Sequence, residues 1–220
     1  MQLTVEGVFR DAQALHQETL LGVDLQPKLR ALARYAFLGA ALHGAAMGFY
    51  HSPAQALLSA LKTPALFLVT LAICLPTLHF VGLLFGATTR IEQTLIAVLS
   101  GIARTCVLLG AFAPIPLLFI VSHASYRFQL GLHVAIFAFC GVAGIRSMMT
   151  GLREAPEGEG VRPIPREVLR AWVLLYMLVG AQTAFLLSPF LGRERALHLI
   201  NPHAGSVFSY LAQYLLRGSS

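Results

Sequence analysis

Four side chains could do chemistry inside otherwise uncharged stretches of this sequence: His43, His79, Arg104 and Gln182. Each interrupts a run of aliphatic and small residues. An ionisable or strongly polar group at membrane depth is costly, about 2.5–3.5 kcal/mol for an arginine on insertion scales, so it needs a use. Three uses fit these residue types. They can hydrogen-bond neighbouring helices, bind an anionic headgroup or ligand, or line a path. Counted at about 1.5 Å per residue from the inner end of each run, the four lie roughly seven to eleven residues deep. They are therefore expected to share one layer near the middle of a bilayer.

The acidic residues set a limit on that chemistry. They are Glu6, Asp11, Glu18, Asp24, Glu92, Glu154, Glu157, Glu159, Glu167 and Glu194, and none falls inside an apolar run. Proton- and sodium-coupled carriers, carboxylate acid–base catalysis and hard-metal sites all draw on a carboxylate at the site. The sequence also lacks a Gly-rich phosphate loop, a GxSxG elbow and an HExxH pair. No catalytic residue is expected, and the chain reads as a non-enzyme. Cys74, Cys106 and Cys140 are far apart and form no CxxC, so no metal ribbon or redox pair is implied. A haem held by His43 and His79 is a minor alternative. A zinc site from His51, His123 and His203 lacks metal-ligand spacing. No metal and no cofactor is expected.

These residues need long apolar elements to position them. Of 220 residues, 56% are hydrophobic and 12% charged. A soluble domain has about 25% charged residues, so an all-α integral membrane protein is the expected class. Five spans are predicted, at about 35–50, 64–86, 93–121, 129–149 and 170–191, where a crossing needs roughly 20 residues; the first is short, with Tyr35 and Tyr50 as interfacial anchors. The third is interrupted by APIP at 113–116. Small residues mark the faces on which helices approach closely. These are Ala40, Gly44 and Gly48 in the first span, Gly82 and Gly86 in the second, and Gly131, Ala135 and Ala138 in the fourth. Pro76 should kink the second span and free the carbonyl of residue 72.

The flanks complete the layout. Residues 1–34 form an amphipathic cytoplasmic segment ending in Lys28, Arg30 and Arg34. Residues 35–191 form the membrane domain, with a hydrophilic cytoplasmic loop at 150–169. Residues 192–220 form an interfacial segment with Val207, Phe208, Leu211 and Leu215 on one face. Placing the N-terminus in the cytoplasm puts Arg10, Lys28, Arg30, Arg34, Arg90, Arg153, Arg162, Arg166 and Arg170 inside. Lys62, Arg127, Arg193, Arg195 and Arg217 then lie outside. That asymmetry supports an N-in, C-out orientation, here in a bacterial inner membrane. The net charge of +6 reflects this bias. No basic stripe interleaved with aromatics suggests nucleic acid.

The five-span layout and small, proline-containing spans such as LKTPALFLVTLAICLP resemble the Yip-type family of membrane proteins. The run QTAFLLSPFLG resembles uncharacterised bacterial five-span relatives, although Ser188 stands where they would carry an arginine. The resemblance implies a non-enzymatic scaffold and assigns no catalytic residue. Expected partners are the lipid bilayer and other membrane subunits or further copies of the chain. The first expected role is an accessory or assembly subunit. The alternative is a channel or lipid-handling protein built on Arg104, His43, His79 and Gln182.

Overall fold

The computed structural model describes residues 21–123, 125–151 and 164–188, together with residues 15, 18, 19 and 162. The described residues are helical and contain no strand. Six helical segments follow in order: α1 (Leu25–Phe49), α2 (Pro53–Leu84), α3 (Ile91–Phe112), α4 (Pro114–Val121), α5 (Tyr126–Gly151) and α6 (Arg166–Leu187). The amphipathic helix expected before residue 21 falls largely outside the described residues, and the C-terminal one wholly so. Most of the 150–169 loop also lies outside them.

Among the described residues, four helices are long and apolar enough to cross a membrane: Pro53–Leu84, Ile91–Val121 as one run, Tyr126–Met149 and Arg166–Leu187. The first helix is not among them; Lys28, Arg30 and Arg34 sit inside it rather than ahead of it. The second helix is 32 residues long. At 1.5 Å per residue that is about 48 Å, well beyond a hydrocarbon core of about 30 Å. Lys62, expected in an outer loop, lies within this helix and is buried.

Local chemistry sets the helix ends. Ser52 caps α2 by accepting the Gln55 amide at 3.1 Å, and Pro53 occupies the first position, where its missing N–H costs nothing. At the other end Gly86 takes φ +85°. Its amide donates to the Leu83 carbonyl at 3.0 Å and the Ala87 amide to the Gly82 carbonyl at 3.0 Å. This is a Schellman stop, and it needs a residue without a Cβ. Gly86 thus ends a helix instead of packing one against another. The APIP interruption is mild. Ala113 keeps helical dihedrals, and its amide bonds to the Gly110 carbonyl that Pro114 cannot reach.

The third helix is the axis of the bundle. In its apolar window 67% of residues are buried, against 22–28% in the other three spanning helices. The first helix packs on both α2 and α3, α5 packs on α3, and α6 packs on α2. Glycines set the close contacts. A methyl group on Gly44 would overlap the Ser59 carbonyl, and one on Gly48 the Gln55 carbonyl, so α1 and α2 run antiparallel in near backbone contact. Gly39 lies against the Cys106 carbonyl in the same way, and Gly144 lies against Thr105. Gly82 is looser, because an added methyl there would meet side chains and no backbone, Ile164 at 3.2 Å and Ala87 at 3.8 Å.

The exterior is greasy. Leu38, Leu57, Phe80, Leu118, Val134 and Leu174 are all more than half exposed, and Leu84 reaches 83%. Water would not tolerate so continuous an apolar surface on a monomer, whereas lipid would.

Candidate functional site

The expected layer of four polar residues does not assemble. The Nδ1 of His43 lies 3.0 Å from the Leu109 carbonyl on α3. His79 instead approaches Thr94, its Nδ1 3.5 Å from the hydroxyl. Thr94 and Leu109 are 15 residues apart on one helix, about 22 Å at 1.5 Å per residue. His43 and His79 therefore sit toward opposite ends of the bundle and cannot share a haem. Arg104 lies between these levels on α3 and is only partly exposed. Gln182 lies on α6, which packs on α2. The depth estimate failed because α1 begins at Leu25, ten residues ahead of the span drawn from residue 35.

His43 has a different partner, one the sequence reading passed over. His133 of α5 places its Nδ1 3.2 Å from His43 Nε2, with the rings edge to face and their centroids 5.2 Å apart. Phe137, one turn further along α5, packs edge to face on His43 with centroids 5.3 Å apart. One turn earlier, Gln129 donates its amide to the Pro116 carbonyl at 3.2 Å. His43, Gln129 and His133 are 0%, 0% and 2% exposed. The cluster joins α1, α3, α4 and α5 through three side chains and two backbone carbonyls. Its signal was present in the sequence. Gln129, His133, Ile136 and Cys140 follow helical spacing and make one buried face of α5.

Two further polar bonds tie α6 to α2. Trp172 donates its indole N–H to the Cys74 carbonyl at 2.8 Å, and Tyr176 donates to the Phe67 carbonyl at 3.4 Å. Cys74 lies just before Pro76, so α6 supplies a donor near the proline, two residues on from the carbonyl expected to be freed. At the far end, Thr88 and Arg162 exchange two bonds. The Thr88 amide donates to the Arg162 carbonyl at 3.2 Å, and the Arg162 amide donates to the Thr88 hydroxyl at 2.9 Å. This places Arg90 and Arg162 at one end of the bundle. Near the chain start, Lys28 bridges Glu18 at 2.8 Å and donates to the Val23 carbonyl at 2.9 Å.

Small residues divide into used and unused sets. Gly39, Gly44, Gly48, Gly101 and Gly144 have neighbours within the chain. Gly131, Ala135 and Ala138 of α5 face outward, and a methyl group on Gly131 would meet nothing within 4 Å. Around the side of α5 lies an apolar cleft of about 320 Å³, bounded by Gly101, Phe137, Gly141, Trp172 and Gly180. Among the described residues no three histidine, cysteine or acidic side chains gather as a metal site would require. Comparison of the chain with protein-family models, curated proteins and solved structures returns no match.

Proposed function

We propose that this chain is a non-enzymatic polytopic membrane protein that serves as an accessory or assembly subunit of a membrane complex. In this reading α1 is a fifth span. The N-terminus is cytoplasmic, the C-terminus lies outside, and the membrane is a bacterial inner membrane. The resemblance to Yip-type proteins points the same way, toward a scaffold.

The observation that carries the reading is the outward-facing stripe Gly131, Ala135, Ala138 on α5. Small residues let transmembrane helices approach until backbones touch, as Gly44 and Gly48 do against α2. On α5 the same texture has no described helix against it. The polar groups support the reading from the other side. His43, His133, Trp172 and Tyr176 spend their hydrogen bonds on fastening helices together.

The test is to replace Gly131 and Ala135 by leucine, singly and together, and size the protein from its own membranes in mild detergent. The expected result is loss of partner chains with an unchanged helical spectrum and melting point. Complexes of undiminished size in the double variant would remove the stripe from the interface.

A further inference from the structure

Two carbonyls fix the direction of every hydrogen in the buried cluster on α5. Leu109 and Pro116 can offer only acceptors at their carbonyl oxygens. The Nδ1 of His43, 3.0 Å from the Leu109 oxygen, must therefore carry the proton and donate. In a neutral imidazole the Nε2 of His43 is then a lone pair. The Nδ1 of His133, 3.2 Å away, must donate to it. That leaves the Nε2 of His133 as an acceptor. The amide of Gln129 is oriented by the same logic. Its nitrogen donates to the Pro116 carbonyl at 3.2 Å, so its oxygen faces elsewhere. The sequence places no carboxylate within the middle of α1, α3, α4 or α5, so nothing there would pair with an imidazolium, and the neutral assignment holds.

The outcome is two buried acceptors without a donor. Neither Gln129 Oε1 nor His133 Nε2 has a hydrogen-bond partner among the described residues, and both atoms are shut off from solvent. Residues four apart on a helix are neighbours on one face, so the two acceptors belong to one locality. An unmatched buried acceptor is destabilising, and two in one place call for a shared remedy.

We propose that Gln129 and His133 form a buried site for one small neutral hydrogen-bond donor, a water molecule, which donates one proton to Gln129 Oε1 and the other to His133 Nε2. Water supplies the two donors that the two acceptors lack, and buried waters typically serve such otherwise unsatisfied groups. The site holds its occupant without passing protons onward. A relay needs every member both to accept and to donate, and the chain ends at the Leu109 and Pro116 carbonyls, which only accept. The water therefore steadies two α5 side chains, Gln129 in its bond to α4 and His133 in its bond to α1.

The experiment uses the full chain in lipid bilayers with ¹⁵N-labelled histidine, observed by solid-state NMR at neutral pH. The chain has 8 histidines, so Gln129→Met serves to identify the His133 signal. The expected result is one buried, unprotonated Nε2 that receives magnetisation from water protons, with that transfer falling to background in Gln129→Met. A His133 Nε2 that carries its own proton would overturn the proposal. So would a neutral Nε2 out of contact with water, or a water transfer that Gln129→Met leaves unchanged.

Discussion

At the scale of single residues, the account rests on hydrogen bonds spent between helices. His43 is held by Leu109 and in turn holds His133. Replacing His43 by leucine leaves the His133 Nδ1 donor buried without an acceptor, which should cost about 1–3 kcal/mol. Replacing both by leucine removes both needs and should cost less than the two single changes added together. The coupling expected inside a membrane is about 0.6 kcal/mol and at most about 1.7. Reversible unfolding of the four proteins in mixed micelles measures it, and strictly additive losses would dissolve the pair. This scale was only partly legible in the sequence. His43 stands out as an imidazole among alanines and glycines, so it was found. His133 is less legible, because its neighbours Gly131 and Ala135 mark the outer face of α5, whereas Gln129 and His133 mark the inner one. Depth was misjudged because a count from the end of an apolar run assumes that the helix starts there. Three basic residues disguise the first third of α1.

At the scale of elements, glycines differ by what lies opposite them, and substitutions should sort accordingly. Gly39 faces the Cys106 carbonyl on the central helix, with no flexible side chain to yield. Gly39→Leu should force α1 off α3 and destabilise the fold by more than the 1–3 kcal/mol typical of overpacking. Gly86→Ala should cost about 1–2 kcal/mol for a different reason, the left-handed backbone of the α2 stop. Gly131→Ala should be neutral or stabilising by up to about 1 kcal/mol in the isolated protein, since its methyl group meets open space and alanine is the better helix former. Thermal unfolding in one detergent would rank all three, and an equal response at Gly39 and Gly131 would contradict the packing described. Helix existence was legible because uncharged runs longer than twenty residues leave few alternatives. Helix starts were less so. The Ser52–Pro53 pair is a cap signal and marks the true beginning of α2, eleven residues before the run that hydropathy alone picks out. Gly82 and Gly86 fit a packing motif by spacing, yet one meets a side chain and the other ends the helix, a difference that spacing cannot encode.

At the scale of the whole molecule, the described helices are built around α3 and leave one flank of α5 open. The fifth helix carries an uncovered small-residue stripe, and an apolar cleft opens beside it toward α6. The interior polar groups join helices, and the intended layer of Arg104, His43, His79 and Gln182 is spread along the bundle axis. In the proposed reading, that open flank is where other chains assemble. Class and approximate span positions were legible from composition because a chain this poor in charge cannot cover itself in water. Role was not, because it depends on which surface stays open once the helices have paired, and pairing is a property of three dimensions. The most direct measurement is purification of the tagged full-length protein from its native membranes in mild detergent, with sizing and mass spectrometry of what accompanies it. The account predicts foreign membrane subunits in fixed stoichiometry, lost when Gly131 and Ala135 become leucine. Recovery of the chain alone, at the mass of a monomer, would contradict it.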